Sequence, residues 1–316
     1  MSDAQWAICE RKAIMKIGFA LPYLNNLAHQ VDRAAEFARE AEKAGAASLW
    51  VGDRNFAAVN PKIGIGGVGD TTIPVEYRTA ADPFVLLGVA AAATDRISLG
   101  THVLIGPIYP PVQLARSLTT IDLVSGGRLI PGFGVGWSPE EFESANVDFA
   151  RRGARMNELL DALELLWTVD PVEYHGRHLE VPLQHAPLKP VQKPRPPFYI
   201  GTASRVRSAL QRVGERADGW LPACIVPVYV DADAVLAQRA LIDGFAVAAG
   251  RDPAHIDTIM RVNVVEGTPL TQVSDVIKSL AERTGIDHFM VESMSLPHID
   301  ASMELVTEMT TLIQRG

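Results

Sequence analysis

Three short stretches of the chain hold residue types that could bind or act on a small molecule. In Gly132-Phe133-Gly134-Val135-Gly136-Trp137-Ser138-Pro139, glycine alternates up to a Ser-Pro pair able to open a helix. Alternate glycines let a flat ring or a phosphate approach the backbone, and free N–H groups at a helix start favour an anion. The same pattern also suits a strand in a crowded barrel interior. Gly201-Thr202-Ala203-Ser204 repeats the logic, since a tight turn ending in a Ser N-cap offers backbone donors and a hydroxyl to a phosphate. Two such turns favour a phosphate-bearing cofactor more than either does alone. Asp53-Arg54-Asn55 follows the strand-like SLWVG and reads as a reactive acid and cation or as a structural ion pair. His102 closes ISLGTHVL, where it would serve shape and hydrogen bonding or act as a base.

Other motifs lack the context that their chemistry requires. Gly64-Ile65-Gly66-Gly67-Val68-Gly69 has the G-x-G-x-x-G spacing, but it is preceded by Asn60-Pro61 and followed by a segment ending at Pro74. A dinucleotide site needs a strand before the glycines and a helix after them, so this reads as a loop. His175-Gly176-Arg177-His178 lies in a proline-rich stretch without a completing Cys or carboxylate cluster, and a surface hairpin is favoured over a metal site. No Ser-His-Asp set or carboxylate dyad stands at the strand ends. Cys9 and Cys224 form no C-x-x-C, so neither zinc nor a disulfide framework is indicated.

These residues need elements to position them, and the periodicity supplies eight strand–helix units. Strands are predicted over 16–22, 48–52, 97–104, 128–136, 196–201, 219–223, 258–266 and 288–293. Helices follow at about 28–43, 82–94, 111–125, 138–168, 204–214, 232–249, 271–284 and 299–313. Asp82-Pro83 marks one helix start, and Ser138-Pro139-Glu140-Glu141 reads as a capping box at another. Such alternation predicts an α/β chain with a parallel sheet and right-handed crossovers. Eight units predict a (β/α)8 TIM barrel with insertion segments at the C-terminal mouth. A doubly wound sheet would want a glycine-rich turn after strand one, where LPYLNN stands instead.

One barrel takes about 250 residues, so the 316 here leave a surplus to place. Residues 1–14 are expected to be an N-terminal extension, with 15–316 a single domain. Insertions of about 54–81 and 171–197 are the candidate lids, because long loops in compact domains usually serve function. A net charge of −8 without any Lys/Arg run longer than two argues against nucleic acid and anionic membranes as partners. No apolar run approaches a membrane span and no secretory h-region opens the chain, so a cytoplasmic protein is expected.

The segments KIGFALP, AEKAGAASLWVGD, DPFVLLGVAAAATDRISLGTHVL, PVQLARSLTTIDLVSGGRLIPGFGVGW and IGTASRVRSALQRVGERADGW resemble, in order, the luciferase-like (bacterial luciferase) superfamily. They cover most of residues 16–221, and SGGR followed by G-x-G-x-G-W is their most specific part. The chain resembles more particularly the branch that depends on coenzyme F420. That resemblance implies a TIM barrel holding an isoalloxazine-type ring in its C-terminal mouth. It implies a non-proline cis peptide between His102 and Val103, bulging against the ring. Gly134, Val135, Gly136 and Trp137 would line the cofactor cleft, and Gly201, Thr202, Ala203 and Ser204 would bind phosphate.

Two departures from the family pattern bear on chemistry. Members often carry Asp-His after strand two, where this chain has Asp53-Arg54. The sugar-phosphate dehydrogenases of the family place a Glu where Trp137 stands, so that activity is not supported. Arg54 supplies a fixed charge with a bidentate fork, which points to an anionic or carbonyl-bearing substrate. The expected function is F420-dependent hydride transfer with a small organic substrate. Asp53, Arg54 and His102 are the catalytic candidates, Trp137 lies beside them, and no general acid is assigned. The alternatives are an FMN-dependent monooxygenase, which needs oxygen and a reductase, and a non-catalytic flavin-binding barrel. The expected partners are a second copy of the chain and a flavin or F420 reductase as cofactor supplier.

Overall fold

The computed structural model describes residues 15–65, 71–202 and 206–314. The expected extension 1–14, the later glycines of the 64–69 motif, and Ala203 and Ser204 lie outside the described residues. In chain order the elements begin β1 (Lys16–Ala20), α1 (Ala34–Ala44), β2 (Ser48–Val51), α2 (Pro83–Ala93), β3 (Ser98–Thr101), β4 (Leu104–Ile105) and α3 (Pro111–Ser125). There follow β5 (Leu129–Ile130), β6 (Gly132–Gly134), α4 (Pro139–Ser144), α5 (Arg152–Thr168), β7 (Val172–His175), β8 (Glu180–Gln184), β9 (Tyr199–Gly201) and α6 (Arg207–Arg216). The chain closes with β10 (Gly219–Leu221), β11 (Ala223–Val226), α7 (Ala232–Ala248), β12 (Asp257–Val264), α8 (Leu270–Thr284), β13 (His288–Ser293) and α9 (Ile299–Gln314).

Parallel pairing runs around a ring. β1 pairs with β2, β2 with β3, β3 with β5, and β4 with β6. β6 then pairs with β9, β9 with β10, and β10 and β11 with β12. β12 pairs with β13, which returns to β1. β3 and β4 are two halves of one barrel strand, as are β5 and β6, and β10 and β11. The expected eight-unit barrel is therefore the observed one, with three of its strands interrupted. Inside the ring, Trp50, Tyr199, Leu221, Ile259 and Met290 form a plug, with Val103 and Ile130 packed on it. The interior is filled by large side chains, as barrels of this size require.

Local chemistry explains most element ends. The Asp82 carboxylate accepts from Phe84 N and Val85 N at 2.9 Å each, the expected N-cap of α2. Gly126 ends α3 at φ +68° and Gly127 continues the turn at φ +86°, backbone that only glycine adopts without strain. Arg128 then turns inward. Its Nε donates to Ser125 O, and its two Nη atoms donate to Ala91, Thr94 and Ile97 carbonyls at 2.8–2.9 Å. The SGGR segment thus ties the end of α2 to the end of α3 and the start of β3.

Two elements differ from expectation. The first helix does not run over 28–43. Asn25–Arg33 forms 3-10 turns broken at Gln30, and α1 starts only at Ala34. The cause is tertiary: Asn25 Nδ2 donates to Met294 O, and Gln30 Oε1 accepts from Ile299 N, so this segment serves the loop before α9. The capping box at Ser138 does not form either. Ser138 makes no side-chain cap bond and instead donates to Glu140 Oε2, while Glu141 turns into the protein.

The two insertions sit differently. The described residues 54–65 and 71–81, after the C-terminal end of β2, stay at the mouth. They are pinned to α4 through Lys62 N with Glu140 Oε1 (2.8 Å) and Lys62 Nζ with Glu143, and to the β1 loop through Ala81 N with Tyr23 O (2.8 Å). Residues 171–197 leave a helix and enter a strand, so both their ends lie at the opposite rim. The hairpin β7–β8 climbs the outer face of α5, where Glu158 accepts from Arg177, His178 and Leu179 N–H groups. Only its tip reaches mouth level, where Arg155 joins Pro107 O to His178 O. Of the two insertions, the described residues 54–65 and 71–81 are therefore the ones at the mouth. His175 lies on the hairpin surface beside Glu173 (2.9 Å). Among the described residues, no group of three or more His, Cys, Asp or Glu could hold a metal, and no helix is long and apolar enough to cross a membrane.

Candidate active site

The site begins where β3 breaks. The His102–Val103 peptide is cis, as expected, and separates β3 from β4. Val103 points into the barrel. A Cβ placed on Gly134 would come within 2.4 Å of its Cγ2, and one on Gly201 within 2.7 Å of its Cγ1. The alternating glycines follow the same rule along the strand: a Cβ on Gly132 would meet Thr101 O at 2.1 Å, and one on Gly136 would meet Ile105 Cγ2 at 2.7 Å. Gly132, Gly134 and Gly136 therefore make room for Thr101, Val103 and Ile105 of the neighbouring strand. This is the barrel-interior reading of the motif, and its result is a Val103 platform held between two glycines at the mouth.

Around that platform stand residues from widely separated strands. His102 is buried, with Nε2 3.4 Å from Glu292 Oε1 but not aligned for a hydrogen bond, and neither ring nitrogen has a partner. Burial, followed by the Arg261 charge, depresses its pKa to about 3, so the imidazole is neutral. Glu292, from β13, is 2% exposed. It accepts from Tyr23 Oη at 2.5 Å, from Arg261 Nε at 2.8 Å, and from Arg261 Nη2. Burial would raise its pKa, but the Arg261 charge above all, with the Tyr23 hydrogen bond, holds it below the usual carboxylate value. Arg261 Nη1 reaches His102 O at 3.4 Å. Asn263, two residues further along β12, donates to Cys224 O at 3.0 Å and keeps Oδ1 unpartnered.

Arg54 is brought to the same mouth. Its Nε donates to Tyr77 O at 3.0 Å, and its guanidinium carbon lies 4.5 Å from the Trp137 ring centroid and 6.0 Å from that of Tyr77. Glu141 Oε2 is 3.9 Å from Nη1, and Nη2 has no partner. Asp53 turns the other way. Its Oδ2 accepts from Ile105 N at 2.9 Å and from Tyr109 Oη at 2.8 Å, bracing β4 just beyond the platform. Thr202 is buried, accepting from Trp220 Nε1 at 2.8 Å, while its N–H donates to Leu221 O at 3.3 Å. α6 starts at Arg207, three residues later than the expected 204. Its N-cap is Val206, not Ser204, and Ala203 and Ser204 lie outside the described residues.

The structure thus gathers Arg54, His102, Val103, Gly134, Trp137 and Gly201 around one mouth, together with Tyr23, Tyr77, Glu141, Arg261, Asn263 and Glu292, which no sequence motif marked. Arg261 and Asn263 carried a usable signal, being polar residues two apart near the C-terminal end of an apolar strand, which faces them both into the barrel.

Burial comes first among the forces on Asp53 and raises its pKa to about 6, against the pull of its two donors. An acid whose folded pKa lies above its unfolded one gives stability below about pH 4, and this is lost as pH rises through 6. Asp53→Asn keeps the accepting oxygen and removes the ionisation. The melting-temperature difference between D53N and the native protein is expected to grow in favour of D53N by several degrees from pH 4.5 to pH 8, equivalent to about 1–2 kcal/mol. A difference that does not change with pH would refute the assignment.

Comparison with known proteins agrees with this fold. The chain is 33% identical over 219 residues to the uncharacterized protein Rv0953c of Mycobacterium tuberculosis, covering 69% of this chain and 75% of that one. Its fold is similar to that of an F420-dependent secondary alcohol dehydrogenase in complex with an F420-acetone adduct (TM-score 0.69, 18% identity, 95% of this chain and 98% of that one). It is also similar to the FMN-bound oxygenating constituent of 3,6-diketocamphane monooxygenase from Pseudomonas putida (TM-score 0.73, 14% identity, 96% of this chain and 98% of that one). The family model for luciferase-like monooxygenases matches residues 15–293, nearly the whole barrel from the start of β1 to the end of β13, and the chain belongs to that family.

Proposed function

We propose that the protein is an F420-dependent oxidoreductase that moves a hydride between the deazaflavin and a small organic substrate. The observation that carries this reading is the Val103 platform: a side chain seated against Gly134 and Gly201 at the mouth, ringed by buried polar atoms without partners on His102 and Asn263. A polar heteroaromatic ring lying on that platform fits such atoms, because unpaired buried donors and acceptors are costly until a ligand meets them. F420, when bound, supplies the hydride-carrying carbon. The chain's own residues would do the rest. Gly134 to Trp137 flank the ring, Gly201 to Ser204 and the head of α6 take the phosphate, and 54–81 excludes water. His102 stays neutral and holds its carbonyl toward Arg261.

FMN is the alternative cofactor, since it shares a three-ring system and a phosphate with F420. The chain would then work as the oxygenase partner of a flavin reductase. A homodimer is the proposed assembly in either case. Titrating the purified protein with F420 and with FMN, followed by cofactor fluorescence, separates the readings. F420 is expected to bind in the micromolar range and more tightly than FMN. The reverse order supports the monooxygenase, and failure of both to bind ends the cofactor assignment.

A further inference from the structure

We propose that the substrate is a small organic carboxylate, anchored by the guanidinium of Arg54 with the Tyr77 phenol beside it. The proposal rests on the preceding reading of the mouth as a hydride-transfer site, and it names the substrate class of that site.

Arg54 is only 8% exposed, yet its guanidinium is incompletely matched. Nε is satisfied by Tyr77 O, Nη1 stands 3.9 Å from Glu141, beyond hydrogen-bond length, and Nη2 has no partner. Glu141 does not close this gap, because its Oε1 is already engaged with Asn55 N at 2.8 Å. A guanidinium held out of water with an open N–H edge is costly, and a second anion at that edge would offset the cost. The planar fork matches the two in-plane oxygens of a carboxylate, and the interaction is charge-assisted. A neutral carbonyl would meet the same edge without balancing the charge.

The surroundings favour the same ligand. The Trp137 face lies over the guanidinium at 4.5 Å and fixes its plane. Tyr77 lies on the 3-10 turn Val75–Tyr77, and its hydroxyl has no hydrogen bond among the described residues. Its neighbours are Arg54, Arg261 and Glu292. Burial, the largest influence, holds the phenol protonated and so a donor. Arg261, a quarter exposed, adds a second positive group near Tyr77. One free guanidinium edge and one phenol suit a carboxylate better than a phosphate dianion, which needs more donors.

The test compares benzoate with benzamide, two planar probes of nearly equal shape and different charge, by isothermal titration at constant ionic strength. Benzoate is expected to bind saturably in the millimolar range, about tenfold or more tighter than benzamide. Arg54→Lys, which keeps the charge and loses the fork, should weaken benzoate about tenfold, and Arg54→Met should abolish saturable binding. F420 and FMN affinities, read by cofactor fluorescence, should stay unchanged in both variants. Equal affinity of the native protein for the two probes overturns the proposal, and that comparison needs no variant to fold. So does absent benzoate binding, benzoate binding untouched in R54M, or a matching loss of cofactor affinity in R54M. Failure of both cofactors to bind the native protein instead removes the hydride-transfer reading, whatever benzoate does.

Discussion

Glu292→Gln is expected to destabilise the folded protein by about 3 kcal/mol at neutral pH, a loss a single domain can ill absorb. The carboxylate is 2% exposed and serves three donors: Tyr23 Oη, Arg261 Nε and Arg261 Nη2. Glutamine keeps one acceptor, but its amide N–H₂ must face either the phenol or the guanidinium. Arg261 also loses its counter-charge, and at a quarter exposed it recovers only part of that loss from water. The pH dependence has a defined sign. Because the folded pKa of Glu292 lies below its ordinary value, its contribution is present above about pH 4.3 and is lost as pH falls through the folded pKa. The gap between E292Q and the native protein should therefore narrow in acid. The double variant E292L/R261L should be markedly more stable than E292Q, because replacing a buried pair costs less than breaking it. Chemical denaturation at pH 7 and pH 4 decides the matter, and E292Q within 0.5 kcal/mol or so of the native protein would show that the cluster is not coupled.

The same cluster shows where sequence reading stops. Strand–helix alternation, the Asp82 cap and the Gly126-Gly127 turn were legible because each rests on neighbours within a few residues. His102 was legible because it closes a strand. Tyr23 and Glu292 touch although they are 269 positions apart, and each stands alone in its own segment. Closing the barrel brings them together, and no local pattern encodes that contact. The glycines of β6 show a subtler limit. Their spacing is visible, but what they make room for depends on the register of β4 against β6, with Leu104 beside Phe133 and Ile105 beside Gly134. From one segment, space for a ligand and space for a neighbour look alike. Glu141 fits the sequence of a capping box, and its side chain was instead drawn to the backbone N–H of Asn55.

Gly134→Ala tests the platform directly. The added methyl would stand 2.4 Å from Val103 Cγ2, well inside van der Waals contact, and Val103 cannot retreat toward β9 because Gly201 leaves only the space its Cγ1 already fills. Overpacking of this kind costs about 1–3 kcal/mol, and here the upper end is expected because Val103 also rests on the interior plug. Val103→Ala removes both Cγ atoms, and its Cβ lies 3.6 Å from the new methyl, an ordinary contact. The double variant V103A/G134A should therefore be more stable than the sum of the two single losses predicts, with a coupling of at least about 1 kcal/mol. Additive losses would mean that the two residues do not compete for one space. Cofactor titration adds a second readout. In G134A a displaced Val103 should weaken F420 or FMN binding, whichever the protein takes. The double variant fills the space differently but lacks the Val103 side chain. Recovery of stability without recovery of affinity would assign the ring's support to Val103 itself. Recovery of both would assign it to the backbone that Val103 and the two glycines together hold in place.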